Sequence, residues 1–366
     1  MSRRALRLAA GGTGLVSPNP LVGCVIVSEN GEILGEGTYV KEDVTHAEVI
    51  ALKQAGVQAR GGTAYVSLEP HAHHGKTPPC TEALINAGIR RVVAPIEDPN
   101  PLVSGKGFQM LRENGIEVVT GILSQEAARL NEKFICWHVK GRPFIHLKLA
   151  MSLDGRISLN RSVSTELSGD AALTRVHQLR HEHDGILVGG NTAVIDDPSL
   201  TDRSGLPRHR ALLRIILDNR LRLPCESKLA TTTDVAPTLV FTNLIDPEMT
   251  GRLTDCGVDV AIIEGGARNL SGVLAELKRR DIQSVLVEGG SAVAGAFVDA
   301  RLVDKVTFII SPIIIGGNDA PVAIGGSGAT GIAGAIRLRD IEITRHGDEI
   351  ELTGYPALPS ADSQDH

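Results

Sequence analysis

His46-Ala-Glu-Val-Ile-Ala-Leu-Lys-Gln-Ala55 and Glu69-Pro-His-Ala-His-His-Gly-Lys-Thr-Pro-Pro-Cys80 are the stretches that decide the fold of the first half of the chain. The first has apolar residues at helical spacing and ends at Gly56, which predicts a helix that begins at His46. The second follows a predicted strand, Thr63–Leu68, and is rich in His, Gly and Pro before a second predicted helix, Cys80–Ala87. Each helix therefore begins at a residue whose side chain can bind a metal ion.

The rest of the first half also alternates between strand and helix patterns. A predicted opening helix, residues 1–10, and a rigid turn, Pro18-Asn-Pro20, precede a hairpin of two strands, Val22–Ser28 and Ile33–Gly37. Further along, the pattern predicts strand Arg91–Pro95, helix Gly107–Asn114 and strand Ile116–Thr120. This order predicts an α/β domain with a largely parallel sheet behind the hairpin.

The polar turn Lys140-Gly-Arg-Pro143 separates this half from a second alternating region. We therefore expect domains at residues 1–142 and 143–356, with a disordered polar tail at 357–366. The strands predicted in the second domain are Phe144–Leu149, Gly185–Val188, Leu213–Leu217, Pro237–Phe241, Val258–Ile263, Ser284–Glu288 and Lys305–Ser311. Its predicted helices are Asp170–His181, Gly272–Arg280 and one that follows Gly290.

Composition excludes several classes of protein. The 366 residues are 42% hydrophobic and 22% charged, as in ordinary globular domains, and the formal net charge of −6 argues against a general nucleic-acid binder. The longest apolar runs have the length of strands, and Arg7 interrupts the mildly apolar N-terminus, so we expect no membrane span and no signal peptide. The five cysteines are irregularly spaced and odd in number, unlike a disulfide framework: Cys24, Cys80, Cys136, Cys225 and Cys256. A cytoplasmic location is therefore the default expectation.

The pair His46-Ala-Glu48 and Cys80 indicates a catalytic zinc site. A His-x-Glu segment that opens one helix, followed by Pro and Cys at the start of another, is the layout of zinc nucleobase deaminases. Such a site needs three protein ligands with an open fourth position, and a carboxylate that is not a ligand. A single His or Cys is more often a core residue, but this combination favours His46 and Cys80 as ligands and Glu48 as the proton carrier.

Five motifs carry a more specific resemblance: Ser17–Val27, His46–Val49, Leu68-Glu-Pro70, His74–Cys80 and Asp98-Pro-Asn-Pro101. From about residue 5 to residue 355 the chain resembles the bifunctional deaminase–reductase family of riboflavin biosynthesis. The resemblance implies a cytidine-deaminase-like α/β/α domain followed by a dihydrofolate-reductase-like α/β domain, with Zn²⁺ and NADPH as cofactors. It also implies hydrolytic deamination of 2,5-diamino-6-(5-phosphoribosylamino)pyrimidin-4-one and then reduction of the ribosyl side chain to ribityl.

For the deaminase half, the resemblance implies three further site residues. The family has Cys as the middle zinc ligand, but here Pro70 is followed by His71, and His73 and His74 are close enough to compete for that role. An imidazole binds zinc about as well as a thiolate. Asn19 would hold the edge of the pyrimidine, although a residue between two prolines is also a typical turn residue. Lys76 would face the ribose phosphate, with a solvated lysine as the alternative.

For the reductase half, strands followed by Gly-Gly turns at Gly185–Thr192 and Val287–Ala296 let the backbone approach a phosphate. Neither turn has the G-x-G-x-x-G spacing of a Rossmann domain. The resemblance implies cofactor contacts at Ala150, Thr192, Asp196, Asn219, Gly290, Ser291, Ala292, Val293, Ala294, Gly295 and Ala296. It implies substrate contacts at Lys148, Ser164, Arg180, Leu200, Arg203 and Glu288, where the arginines suit a phosphate but could also form surface ion pairs.

Four positions depart from the family pattern. Tyr39 and Ile50 stand where the family usually has His, His71 replaces Cys, and Glu166 replaces a Trp beside the nicotinamide. These departures leave open a diverged paralogue that acts on a related pyrimidine, a chain that keeps only the reductase, and a non-catalytic partner of an active homologue. The expected partners are a small phosphoribosyl pyrimidine and other copies of the chain in a homo-oligomer, with no nucleic acid and no membrane.

Overall fold

The computed structural model describes residues 1–42, 45–73, 78–163 and 165–357. Lys76, Ser164, His74 and nearly all of the predicted tail lie outside the described residues. The described chain forms two compact units, the first comprising Met1–Arg142 with Pro207–Arg210 and the second the remainder. The assignment of one activity to residues 1–142 and the other to 143–356 stays a prediction.

The first unit is a five-stranded sheet with helices on its faces. Its helices are α1 Ser2–Ala10, α2 Ala47–Ala55, α3 Cys80–Asn86, α4 Lys106–Glu113, α5 Ser124–Leu130 and α6 Glu132–Val139. Its strands are β1 Gly23–Val27, β2 Ile33–Thr38, β3 Thr63–Val66, β4 Arg91–Val93 and β5 Glu117–Val119, in the order β2-β1-β3-β4-β5. Strand β1 is antiparallel to β2 and to β3, whereas β3, β4 and β5 are parallel. The predicted hairpin and the parallel strands behind it are therefore confirmed, whereas α5 and α6 were not predicted.

Glycines in β2 allow α2 to pack directly on the sheet. A Cβ atom at Gly35 would lie 2.1 Å from the carbonyl oxygen of Ala51, and one at Gly37 would lie 2.0 Å from that of Ala47. Any larger residue at either position would push the helix away from the sheet. This close contact fixes the first turn of α2, which carries the predicted catalytic carboxylate.

Glu69 anchors the loop that follows β3. Its side chain is buried, and Oε1 accepts hydrogen bonds from the backbone N–H groups of Gly107 at 2.8 Å and Phe108 at 3.1 Å. Oε2 accepts from the N–H groups of Asp98 and Gly105, both at 3.0 Å. Three of these donors belong to the start of α4, where unpaired N–H groups and the helix dipole favour an anion. The buried carboxylate therefore ties the loop to two distant segments.

The second unit is built on a nine-stranded sheet in the order β10-β9-β8-β7-β11-β6-β12-β14-β13. Its strands are β6 Phe144–Ser152, β7 Gly185–Gly189, β8 Leu213–Leu217, β9 Thr238–Thr242, β10 Asp259–Ile262, β11 Ser284–Val287, β12 Lys305–Ser311, β13 Leu338–His346 and β14 Glu349–Pro356. Its helices are α7 Asp170–His181, α8 Gly190–Ile195, α9 Lys228–Thr231, α10 Pro247–Asp255, α11 Leu270–Arg279 and α12 Ser291–Asp299. Short 3₁₀ helices lie at Gly56–Ala59 in the first unit and at Gly266–Arg268 and Ile332–Gly334 in the second.

In the order of the sheet, the seven strands β10-β9-β8-β7-β11-β6-β12 run parallel to one another. Their apolar residues form the core of the second unit. Ile145, Leu187, Ile215, Phe241 and Val285 are fully buried, as expected for strands covered on both faces. The antiparallel pair β13–β14 was not predicted. Strand β13 lies at the edge of the sheet and is mostly exposed, so it has no continuous apolar run that would reveal it.

Cys225 and Cys256, separated by 31 positions, form a disulfide that the irregular spacing of the cysteines did not indicate. The other three cysteines, Cys24, Cys80 and Cys136, are free and buried. Among the described residues, we find no helix with the length and hydropathy needed to cross a membrane.

We predict that Glu69→Gln lowers the free energy of unfolding by about 2–4 kcal/mol, because an amide nitrogen would then face two of the four backbone donors. Chemical denaturation can follow this change through the fluorescence of Trp137, the single tryptophan of the chain, which lies in α6. The matched control is Glu117→Gln, which removes an exposed partner of Arg91 and should change stability by less than about 0.5 kcal/mol. Equal effects of the two substitutions would contradict the anchoring role of Glu69.

Candidate functional site

Three side chains from separate parts of the first unit converge as a candidate metal site. His46 immediately precedes α2, His71 lies in the loop after β3, and Cys80 is the first residue of α3. One potential ligand atom from each lies within 4.8 Å of the others. A tetrahedral zinc ion binds His nitrogen at ~2.0–2.1 Å and Cys sulfur at ~2.3 Å, so an ion between these three atoms would leave a fourth position for another ligand.

The position of His71 makes it the middle donor among the described residues. Its ring centroid is 4.5 Å from that of His46. The ring centroid of His73 is 5.1 Å from that of His71, and His73 is not part of the cluster. The backbone N–H of Thr81 donates to the His71 carbonyl at 3.3 Å, which ties the loop to α3. Burial, followed by the charges of His46 and His73, lowers the pKa of His71 to about 4. The imidazole is therefore neutral at pH 7, the form that binds a metal.

Glu48 lies beside this cluster on the first turn of α2 and is 2% exposed. Its Oε2 atom has no hydrogen-bond partner within the described part of the chain, and burial raises the pKa of its carboxyl group. Burial also raises the pKa of the Cys80 thiol, which the neighbouring Glu48 raises further. In their ionised forms these two buried groups would be costly without a counter-charge, and a divalent cation would supply one. The residues present therefore fit zinc.

Asn19 and Tyr39 form a hydrogen-bonded pair next to the cluster. The Asn19 Nδ2 atom donates to the Tyr39 hydroxyl at 2.7 Å, and the Tyr39 ring lies 5.2 Å from the His46 ring. Tyr39 is 8% exposed, and burial raises the pKa of its hydroxyl. This bond uses one of the two N–H groups of Nδ2, so Asn19 can accept through Oδ1 and donate through its second N–H to a ligand. Ile50, the other departure in this region, is half-buried one helical turn after His46.

In the second unit, Lys148, Arg180 and Glu288 form a buried charge cluster. They come from β6, from the last turn of α7 and from the residue after β11, and β6 and β11 are neighbours in the sheet. Arg180 donates to both carboxylate oxygens of Glu288, at 3.0 and 2.9 Å, and the Lys148 Nζ atom lies 3.8 Å from Oε2. Burial alone would raise the pKa of Glu288, but the charges of Arg180 and Lys148 hold it at about 2. The carboxylate is therefore ionised and oriented.

The predicted substrate residues Leu200 and Arg203 lie in the loop after α8, near this cluster. Leu200 is buried with a left-handed backbone, φ 48°. The carbonyl oxygen of Thr201 accepts a hydrogen bond from Arg180 at 3.3 Å, so the loop is joined to the buried charges. Arg203 is exposed, and its Nε atom donates to the Thr201 hydroxyl.

The two Gly-Gly turns of the second unit face each other. They follow the neighbouring strands β7 and β11, and a Cβ atom at Gly290 would lie 3.7 Å from the Thr192 hydroxyl oxygen. Gly290 immediately precedes α12, so the predicted cofactor residues Ser291–Ala296 form the first turns of that helix. A Cβ atom at Gly189 or Gly289 would lie 2.9 or 2.6 Å from the Val293 side chain, so these two glycines let α12 pack close to both turns, whereas Gly290 has room beside it. Backbone N–H groups at the start of a helix can bind a phosphate group there. These turns therefore fit a dinucleotide such as NADPH.

The other predicted cofactor residues do not all lie at these two turns. Thr192 is in α8, and Asp196 immediately follows that helix. Ala150, in β6, packs against Ala172 and Val176 of α7. The Asn219 Oδ1 atom accepts a hydrogen bond from the backbone N–H of Ala267 at 2.7 Å, so it serves the fold directly. Glu166 is exposed, and no contact in the described residues explains its substitution for Trp.

One residue and one contact that the structure singles out were not predicted from the sequence. Glu69 was noted only as part of a motif, and its four donors come from residues that are distant in the sequence. The bond between Tyr39 and Asn19 was also not foreseen, because it joins residues on separate segments. No local pattern could have revealed either contact.

Two family models match the chain. Residues 143–352 match the RibD C-terminal domain, and residues 1–95 match the cytidine and deoxycytidylate deaminase zinc-binding region. The riboflavin biosynthesis protein RibD of Bacillus amyloliquefaciens is 42% identical over 354 residues, which cover 96% of this chain and 94% of that protein. The RibD of Aquifex aeolicus is 40% identical over 348 residues, which cover 95% of this chain and 95% of that protein.

Solved structures give the same result. The structure of Acinetobacter baumannii RibD superposes with a TM-score of 0.87 at 36% identity and covers 98% of both chains. A Thermotoga maritima structure, described as a diaminohydroxyphosphoribosylaminopyrimidine deaminase and 5-amino-6-(5-phosphoribosylamino)uracil reductase, has a TM-score of 0.84 at 35% identity and covers 97% of both chains. The cytidine-deaminase-like and dihydrofolate-reductase-like folds are thus both confirmed, and the chain belongs to the RibD family of riboflavin-biosynthesis proteins.

Proposed function

We propose that this chain catalyses two consecutive reactions of riboflavin biosynthesis. The first is the hydrolytic deamination of 2,5-diamino-6-(5-phosphoribosylamino)pyrimidin-4-one, and the second is the NADPH-dependent reduction of the ribosyl side chain to ribityl. The observation that carries this proposal is the convergence of His46, His71 and Cys80 beside the buried carboxylate of Glu48. The two activities named for the Thermotoga maritima relative support the same substrates.

In the deaminase half, His46, His71 and Cys80 would hold zinc. When bound, zinc acts as a Lewis acid and lowers the pKa of water. Glu48 is placed to accept a proton from that water and to deliver a proton to the departing amine, because its Oε2 atom is buried beside the ligands and has no other partner in the described residues. Asn19 would accept a hydrogen bond from the edge of the pyrimidine through Oδ1.

The substitution of His71 for Cys changes the charge of the ligand set but keeps three donor atoms. Two neutral imidazoles and one thiolate carry one negative charge, whereas one imidazole and two thiolates carry two. A less negative ligand set leaves more positive charge at the centre, which favours ionisation of water. Since three donors and Glu48 are all present, no observation favours a chain that has only reductase activity or none.

In the reductase half, NADPH supplies the hydride when it is bound. The Gly-Gly turns before α8 and α12 would bind its phosphates through backbone N–H groups. Lys148, with its stem buried in β6 and its charge beside Glu288, can donate a hydrogen bond to the sugar of the substrate. Arg180 holds the Glu288 carboxylate in one orientation, so that the carboxylate can accept hydrogen bonds from the same ligand.

We also propose that the chain acts in the cytoplasm as a homo-oligomer. Its proposed substrate and cofactor are both phosphorylated metabolites. The edge strand β13 supports self-association, because Ile341 and Ile343, two positions apart on one face, are 53% and 67% exposed. Apolar side chains on an open sheet edge are commonly covered by another chain. Light scattering of the purified protein would measure the number of copies.

We predict that Glu48→Gln retains stoichiometric zinc but lowers the deamination rate by ~10²–10⁴-fold, because the amide cannot carry the proton. His46→Ala should lose both the zinc and the activity. Metal analysis and mass spectrometry of the product, with and without NADPH, measure both effects. Reduction of separately prepared deaminated substrate is the control and should be unchanged in both variants. Full deamination by Glu48→Gln would refute the assigned role.

We predict that Tyr39→Phe raises the KM of deamination by about five- to tenfold and changes kcat by less than about twofold. Without the hydroxyl, Asn19 loses the partner that orients its amide, so binding of the heterocycle weakens. Steady-state kinetics with the deaminase substrate measure the change. In an Asn19→Ala background the same substitution should have no further effect, and additive effects would contradict the coupling.

We predict that Arg180→Met lowers kcat/KM of the reductase by more than about 100-fold, because Glu288 would remain buried with Lys148 as its remaining charged partner in this cluster. The deaminase activity of the same protein should stay unchanged. Arg175→Met is the matched control on the same helix, since Arg175 pairs with Glu182 and Glu351 instead. A similar loss in both variants would indicate a general effect on α7.

A further inference from the structure

His177 is a residue of α7 to which neither the sequence motifs nor the proposed mechanism assigns a role. It is half-buried, but its Nδ1 atom is completely buried and has no hydrogen-bond partner within the described residues. Buried side-chain nitrogen atoms in proteins are nearly always hydrogen-bonded, because an unpaired one has lost its contact with water and gained nothing in exchange. The free Nδ1 atom therefore needs an explanation.

The surroundings of His177 point to the substrate site of the reductase. Arg180 follows it by three residues and so lies on the same face of the helix, and Arg180 bonds both oxygens of Glu288. One turn after His177, His181 contacts the Asp202 carboxylate at 2.9 Å in the loop that carries Arg203. Four charged groups lie close enough to the His177 ring to shift its pKa: Arg180, Arg203, Glu288 and Asp202.

The electrostatic surroundings of His177 favour the neutral form of its imidazole at pH 7. Burial, and then the charges of Arg180 and Arg203, lower its pKa, and the two carboxylates only partly oppose this effect. A neutral imidazole has one N–H donor and one acceptor nitrogen. It therefore complements a hydroxyl group, which also both donates and accepts, whereas the nearby cations suit a phosphate group.

We propose that His177 is a further substrate-binding residue of the reductase half, whose Nδ1 atom hydrogen-bonds a hydroxyl of the phosphorylated sugar chain. The inference rests on the proposed function and deepens it, because it names the group that recognises the sugar being reduced. In this arrangement Arg203 provides positive charge for the phosphate, Lys148 and the Glu288 carboxylate that Arg180 holds bind the reacting end, and His177 binds a hydroxyl of the sugar chain.

The test compares three substitutions at one position. His177→Leu removes both nitrogens, His177→Asn keeps a polar atom near the position of Nδ1, and His177→Gln keeps one near that of Nε2. We expect the Leu variant to raise the KM of the reductase about tenfold with kcat within about twofold, the pattern of a lost binding contact. The Asn variant should recover most of the affinity and the Gln variant little. Deaminase activity of each protein, measured on the same preparation, is the control for folding.

A stability measurement separates this role from a structural one. Because Nδ1 makes no internal hydrogen bond in the described structure, His177→Leu should melt at the same temperature as the wild type or higher. A lower melting temperature in the Leu variant, together with equal KM changes in all three variants, would show that His177 supports the fold and would overturn the inference. An unchanged KM in the Leu variant would overturn it as well.

Binding of ribose 5-phosphate, followed by calorimetry, tests the inference without turnover. We expect the Leu variant to bind this probe about tenfold more weakly than the wild type, and the Asn variant to bind it nearly as well. Equal affinity of wild type and Leu variant would contradict the contact. A wild type that binds the probe through His177 but reduces no pyrimidine substrate would refute the proposed function while supporting the sugar site.

Discussion

The candidate deaminase site depends on one buried carboxylate. Glu69 accepts four backbone hydrogen bonds from the segments around residues 98 and 105–108, and the next two residues of the chain are Pro70 and His71. Gly107 allows this arrangement, since a Cβ atom there would lie 1.9 Å from the Pro70 carbonyl oxygen. The loop that follows β3 therefore begins at a residue whose position is fixed. His71, in that loop, is held close enough to His46 and Cys80 to share an ion.

The two halves use buried carboxylates in opposite ways. Glu48 has an oxygen without a partner in the described residues, and burial raises the pKa of its carboxyl group, so the group can exchange protons. Glu288 is held by Arg180 and Lys148, and its pKa is about 2, so it stays ionised and acts as a fixed acceptor. The same functional group is thus suited either to proton exchange or to ligand binding, according to the charges placed around it.

Elements whose pattern is local could be predicted from the sequence. The helices that begin near His46 and Cys80, and the strands of both sheets other than β13 and β14, were indicated by spacing and turn residues. Contacts between distant segments could not be predicted, because no local pattern specifies them. Examples are the four hydrogen bonds to Glu69, the Asn19–Tyr39 hydrogen bond and the disulfide between Cys225 and Cys256. The edge hairpin β13–β14 was missed because β13 is mostly exposed, and its alternating apolar pattern is limited to Ile341 and Ile343.

The replacement of a thiolate by His71 has a practical consequence for the choice of metal. Two imidazoles and one thiolate form a harder ligand set than one imidazole and two thiolates, and imidazole also suits cobalt, nickel and copper. Protein isolated on a nickel resin could carry the ion of the column instead of the ion of the cell. Demetallation followed by reconstitution with each ion in turn would give the intrinsic selectivity of the centre.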